Sequence, residues 1–132
     1  MKLQADRIEG QNAIARHGPG GVIVNGVEHR ISVIVPWRGA VVAWPVADFG
    51  ALTETHFALL VELKPELVIF GSGSKIRFPS PALLRPLIER SIGVETMDTA
   101  AACRTYNVLL AEGRSVLAAL LFETSPSPDG GG

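Results

Sequence analysis

Only one cysteine, Cys103, stands among 132 residues, so no internal disulfide can form and a reducing compartment is the expected setting. Histidine is almost as scarce. His17, His29 and His56 show no metal-binding spacing, and one thiol cannot complete a zinc site. No metal and no cofactor is therefore expected. Neither sign of charge predominates, with 12 Lys+Arg against 13 Asp+Glu and a formal net charge of -1. That balance excludes a broad attraction to nucleic acid or to an anionic bilayer and leaves only a local patch open. No run approaches the roughly 18 consecutive apolar residues of a membrane span. The opening MKLQADRIEG lacks the apolar core of a signal peptide and the acid-free composition of an organelle-targeting segment. The expectation is a cytoplasmic protein with no integral membrane segment.

The motifs of nucleotide enzymes are missing as well. There is no complete G-x-G-x-x-G and no phosphate-loop GKS or GKT, and Glu62, Glu66 and Glu95 suggest no acid–base pair. What the chain does have is apolar residue: 47% hydrophobic against 19% charged, a globular composition whose length suits one core. We expect a single globular domain over residues 1–123. The TSPSPDGGG that follows has no apolar anchor and reads as a mobile tail over 124–132.

Read in order, the chain begins with short edge elements at Leu3–Ile8 and Asn12–Arg16, then shows a first clear signal. Val22-Ile23-Val24 and Val27-Glu28-His29 flank Asn25-Gly26, a pair suited to the positive φ values of a type I′ hairpin turn. Ile31–Val35 continues the β character up to Pro36, and Val41–Trp44 is a further strand closed by Pro45. These N-terminal strands form an antiparallel meander that either extends the main sheet or stands beside it. The period changes at TETHFALLVEL, residues 53–63. Thr53 is an N-cap, Leu52 and Phe57 have the spacing of a hydrophobic staple, and Leu59, Leu60 and Leu63 define the expected inner face.

From Pro65 the pattern alternates. Leu67–Phe70 is a strand covered on both faces, ended by Gly71-Ser72-Gly73-Ser74. Ser80-Pro81 opens a helix bearing Leu83, Leu84, Leu87, Ile88 and Ile92, in which Pro86 forces a kink or a separate first turn. Gly93 is the expected stop. Val94–Met97 is the next strand, Asp98 or Thr99 caps a helix from Ala100 to about Glu112, and Val116–Phe122 is the last strand. The helix turns Ala102, Tyr106 and Leu109 inward, beside Cys103 and Leu110. This β-α-β-α-β order requires an α/β sheet with helices packed on it.

The stretches PELVIFGSGS and IGVETMDTAAACRTYNVLLAEGRSVLAALL resemble a widespread family of small single-domain proteins. That family includes the adipogenesis-associated domain protein and a mitochondrial assembly factor for respiratory complex I. The block from Gly93 to Leu121, with MDT, RTYN and EGR, carries most of the likeness. The resemblance implies a three-layer α/β fold with a central mixed sheet, helices and an accessory antiparallel β layer. It also implies a protein without established catalysis that works by binding another protein, and it supplies no catalytic residues.

Two function classes follow. One is a non-enzymatic accessory domain with a protein partner, assembly-factor-like by resemblance. Its best surface is the loop holding Trp37 and Arg38, residue types enriched at interfaces. The other is a small-molecule or anion site, with or without catalysis, where two strand ends meet. It would comprise Gly71, Ser72, Gly73, Ser74 and Lys75 together with Asp98, Thr99 and Arg104, because ligands of open α/β sheets bind beyond the carboxyl ends of strands. Helix capping and a tight strand exit explain the same residues without a ligand. Cys103, near a helix start but with no histidine close in sequence, reads as a packed thiol. A homodimer is compatible with either class.

Overall fold

The computed structural model describes residues 10–123. The edge element expected at Leu3–Ile8 and the tail expected over 124–132 lie outside them. Eight strands and three α-helices follow one another: β1 (Ile14–Gly18), β2 (Gly21–Val24), β3 (Val27–His29), β4 (Val33–Pro36), β5 (Val42–Ala43), α1 (Glu54–Val61), β6 (Leu67–Gly71), α2 (Arg85–Ile88), β7 (Gly93–Met97), α3 (Thr99–Ala111) and β8 (Val116–Leu120), with a 3-10 turn at Phe49–Ala51. β1-β2-β3 make a small antiparallel sheet, and β5-β4-β8-β6-β7 make the main one. β6 is parallel to both β7 and β8, while β4 runs antiparallel to β8 and β5, so the main sheet is mixed.

The expected hairpin forms between β2 and β3, with Asn25 at φ 53 and Gly26 at φ 81. The meander, however, divides. β1–β3 build the accessory layer, whereas β4 and β5 join the main sheet, because β4 pairs Val33 with Leu120 and Pro36 with Leu117. Pro36 ends that strand without interrupting the pairing before it.

Alternation along the central strands sorts the core into two layers. Val33, Val35, Ile69, Val116, Ala118 and Leu120 face α3 and the small sheet, where Ile14, Val22, Val24, Ala102, Cys103, Tyr106 and Leu110 meet them. Ile34, Val68, Phe70, Leu117 and Ala119 face the other way, toward Trp44, Leu52, Phe57, Leu60 and Leu87. Both faces of β6 and β8 are thus covered, which is why these strands read as unbroken apolar runs.

Three local expectations shift. Leu52 and Phe57 are both buried in the second cluster, and this staple turns α1 so that Phe57 and Leu60 point inward while Leu59 and Leu63 face solvent. The segment from Ser80 makes isolated turns, Leu83 N–H to Ser80 O and Leu84 N–H to Pro81 O. A single helical turn then begins at Arg85 with Pro86 in its first turn, where a missing N–H costs nothing. Ile88 on that turn is exposed. The helix ends at Ile88, the turn after it closes at Ser91, which takes the left-handed φ of 59, and Gly93 instead opens β7.

Candidate functional site

Because β6 and β7 are parallel neighbours, the loop after Gly71 and the loop after Met97 share one rim of the sheet. The rim is held by a knot of bonds centred on Thr99. Its Oγ1 accepts the Gly73 N–H at 2.8 Å and donates to Leu121 O at 2.9 Å, while its own N–H donates to Gly73 O at 2.9 Å. Asp98 is the cap of α3, accepting the Ala101 N–H at 2.9 Å. A side chain at Gly71 would place its Cβ 3.0 Å from Thr99 Cα and 3.1 Å from Ala102 Cβ. Glycine there lets α3 sit against the end of β6, and Gly73, at φ 106, turns the chain away.

Ser72 is buried and spent internally. Its hydroxyl donates to Lys75 O at 2.6 Å, lies 3.2 Å from Met97 O, and accepts the Arg77 N–H at 2.9 Å. Most of the polar groups that proposed a ligand site therefore bond to one another.

A cleft of about 520 Å³ nonetheless opens beside this knot. Gly73, Ser74, Asp98 and Thr99 line it, and the structure adds His17 from β1 and Glu123 beyond β8. Gly71, Ser72, Lys75 and Arg104 are not among its lining residues. The ionisable groups at its wall are thus two carboxylates and an imidazole. No local signal ties His17 to this place; the small sheet brings the β1–β2 turn across the end of the main one.

The Trp37–Arg38 loop lies at the other end of the sheet, since Pro36 pairs near the start of β8 whereas Gly71 pairs at its close. Trp37 is half-buried against the α3-side core, and its carbonyl accepts the Asn12 N–H at 3.1 Å. Arg38 is exposed and bridges Gln11.

The motif residues of α3 do structural work. Tyr106, fully buried, has its hydroxyl 2.8 Å from Asn12 O and 3.0 Å from Pro36 O. Asn107 accepts the Ile14 N–H at 2.9 Å and donates to Ile14 O at 2.8 Å, so its amide pairs with β1 as a neighbouring strand would. Arg114 donates to Glu66 at 2.8 Å, and the Ser115 N–H reaches the same carboxylate at 3.0 Å. The Ser115 bond first, and Arg114 second, hold the Glu66 carboxyl below the ordinary carboxylate range.

Burial pushes the Cys103 thiol up to about 12, against a smaller opposing pull from Arg104. A thiol protonated at neutral pH is a poor nucleophile. Tyr106 is likewise raised by burial. Among the described residues no three His, Cys, Asp or Glu side chains gather as metal ligands, and no helix is long and apolar enough to cross a membrane.

A mixed five-stranded sheet with α1 and α2 on one face, and α3 and a small antiparallel sheet on the other, defines the class: a three-layer α/β protein of the Mth938-like type. The crystal structure of a Bordetella parapertussis protein matches it with a TM-score of 0.81 at 36% identity, over 87% of this chain and 98% of that one. The solution structure of a Bordetella pertussis Mth938-like domain matches with a TM-score of 0.78 at 31% identity, over 93% of each. The chain belongs to the family described as protein of unknown function (DUF498/DUF598), which matches residues 14–121. It is also 40% identical over 93 residues to the bovine (Bos taurus) NADH dehydrogenase [ubiquinone] 1 alpha subcomplex assembly factor 3, covering 69% of this chain and 48% of that protein. The chain thus spans about half the length of the mammalian assembly factors it matches.

Proposed function

We propose that this chain is an assembly-factor-like accessory protein of the cytoplasm that acts by binding another protein and catalyses no reaction of its own. The observation that carries the reading is the bonding at the rim. Where an open α/β sheet would place its chemistry, Thr99, Gly73, Ser72 and Asp98 hold the fold together. The bovine relative's name, that of an assembly factor, supports the same reading. One globular unit over residues 1–123, with 124–132 outside it, fits this role. Affinity capture of the tagged protein from gentle native lysate is expected to recover one reproducible partner in fixed stoichiometry. Repeated recovery of the bare protein would overturn the proposal.

The cleft favours a second reading, a small-molecule site between the Gly71–Lys75 and Asp98–Thr99 loops. Asp98 and Glu123 beside His17 suit a cationic or hydrogen-bond-donating ligand better than an anion. In a thermal-shift screen of amines and neutral metabolites, this reading expects a ligand that stabilises the wild type and not Ala100→Leu, a change that enlarges the side chain of a residue lining the cleft. A screen without any such ligand counts against it.

A further inference from the structure

The segment joining β6 to β7 is unlike the rest of the surface. Between Lys75 and Arg90 it carries four cations, Lys75, Arg77, Arg85 and Arg90, against the single anion Glu89. This local net charge of +3 stands in a chain whose total is -1. The same segment holds Phe78, 70% exposed, and Ile76, 52% exposed. Side chains of this kind are ordinarily withdrawn from water, and neither belongs to a core cluster.

The backbone explains how they are presented. Arg77 turns toward the body of the protein, its guanidinium 5.6 Å from the Phe49 ring centroid and 3.9 Å from Glu123. Pro79 is buried, and the Arg77 N–H is fixed by the Ser72 hydroxyl. Inward anchors thus alternate with outward Ile76 and Phe78, so the apolar side chains are held out by a tethered loop and little further ordering is needed to use them. Lys75, Arg85 and Arg90 remain exposed, and α1, the turn after it and α2 add the exposed Leu59, Leu63 and Ile88 to the same layer.

We propose that this crossover segment docks the protein on an anionic lipid bilayer. Phe78 and Ile76 would enter the headgroup boundary while Lys75, Arg85 and Arg90 meet lipid phosphates. Apolar side chains inserted at the interface beside clustered cations are the ingredients of reversible peripheral binding. Charge complementarity selects the anionic surface, and because the apolar anchors are few the attachment is weak and salt-sensitive.

The test is co-sedimentation of the purified chain with phosphatidylcholine vesicles, with and without about 30 mol% phosphatidylglycerol, at low salt and at about 0.5 M NaCl. Binding is expected only to the anionic vesicles and is expected to be lost in high salt. Phe78→Ser should weaken it about tenfold, and Arg85→Glu/Arg90→Glu by at least about thirtyfold. Because these side chains are exposed, circular dichroism and thermal melting should match the wild type, which separates lost binding from lost folding. No binding to anionic vesicles, or binding indifferent to both variants, would overturn the proposal. So would loss of a captured protein partner in Phe78→Ser with vesicle binding unchanged, since the segment would then be a protein interface.

Discussion

Replacing Thr99 with valine keeps the shape of the side chain and removes the oxygen that links the Gly73 loop to the end of β8. Two groups then lose their partner, the Gly73 N–H at 2.8 Å and the Leu121 carbonyl at 2.9 Å. Both bonds are buried, and Thr99 itself is only 6% exposed, so water does not readily replace the hydroxyl. Each orphaned polar group costs roughly 1–3 kcal/mol, partly offset because the hydroxyl no longer has to be desolvated. The net loss is therefore about 2–3 kcal/mol, corresponding to a fall in Tm of about 10 °C for a domain of this size. Thr99→Ser keeps the hydroxyl and gives up one buried methyl, at a cost of about 1 kcal/mol. Urea denaturation of the three proteins, followed by far-ultraviolet circular dichroism, reads both differences as shifts in midpoint. A Thr99→Val protein within about 0.5 kcal/mol of wild type would refute the claim that this oxygen is structural. Thr99→Ser as damaging as Thr99→Val would refute the assignment to the hydroxyl.

Other consequences follow from the buried side chains of α3. Tyr106→Phe strands the Asn12 carbonyl, whereas Pro36 O keeps the Asn12 side-chain amide at 2.9 Å, and should cost about 1–2 kcal/mol in the same urea assay. Asn107→Ala removes both bonds to Ile14. The Ile14 amide should then exchange with solvent deuterium faster, while amides of β6 and β8 keep their protection. Alkaline pH should destabilise the fold, because the buried Cys103 keeps its proton up to about 12 while an unfolded thiol releases it near 9.0. Its contribution is whole below the unfolded value and declines above it, by at most roughly 1.4 kcal/mol per pH unit, until the folded thiol also ionises. Cys103→Ala should flatten that decline most clearly between pH 9 and pH 10, above which ionisation of the unfolded Tyr106 side chain, at 10.0, adds a decline of its own, as followed by urea denaturation across pH.

What the sequence made legible was local chemistry. Asn25-Gly26 declares its turn because few residue pairs accept two positive φ values, and both were found positive. Asp98 announces the start of α3 for the same kind of reason, since its carboxylate satisfies an amide three residues on. The two rim loops could be named from sequence, but their adjacency depended on the two strands being parallel neighbours, which the β6–β7 pairing supplies. Other features depend on distant partners. Nothing near Val33 indicates that β4 pairs with β8, more than eighty residues later. Leu59, Leu60 and Leu63 look equivalent as apolar residues, and only the burial of Leu52 with Phe57 decides which of them turns inward. His17 reaches the cleft through sheet packing alone. Gly93 resembles a helix stop, yet Ser91 already supplies the left-handed residue.

We propose that the protein functions by holding a partner, with the rim serving the fold. Size-exclusion chromatography with light scattering on fresh native lysate tests it directly, with tagged wild type compared with Asp98→Ala, which loses the α3 cap and lowers stability by about 1 kcal/mol. Both are expected to elute in the same complex, of one mass and one partner, below the melting temperature of the variant. Elution of both as the free chain, together with a metabolite-induced thermal shift present in the wild type and absent from Asp98→Ala, would contradict it and return the rim to the centre of the function.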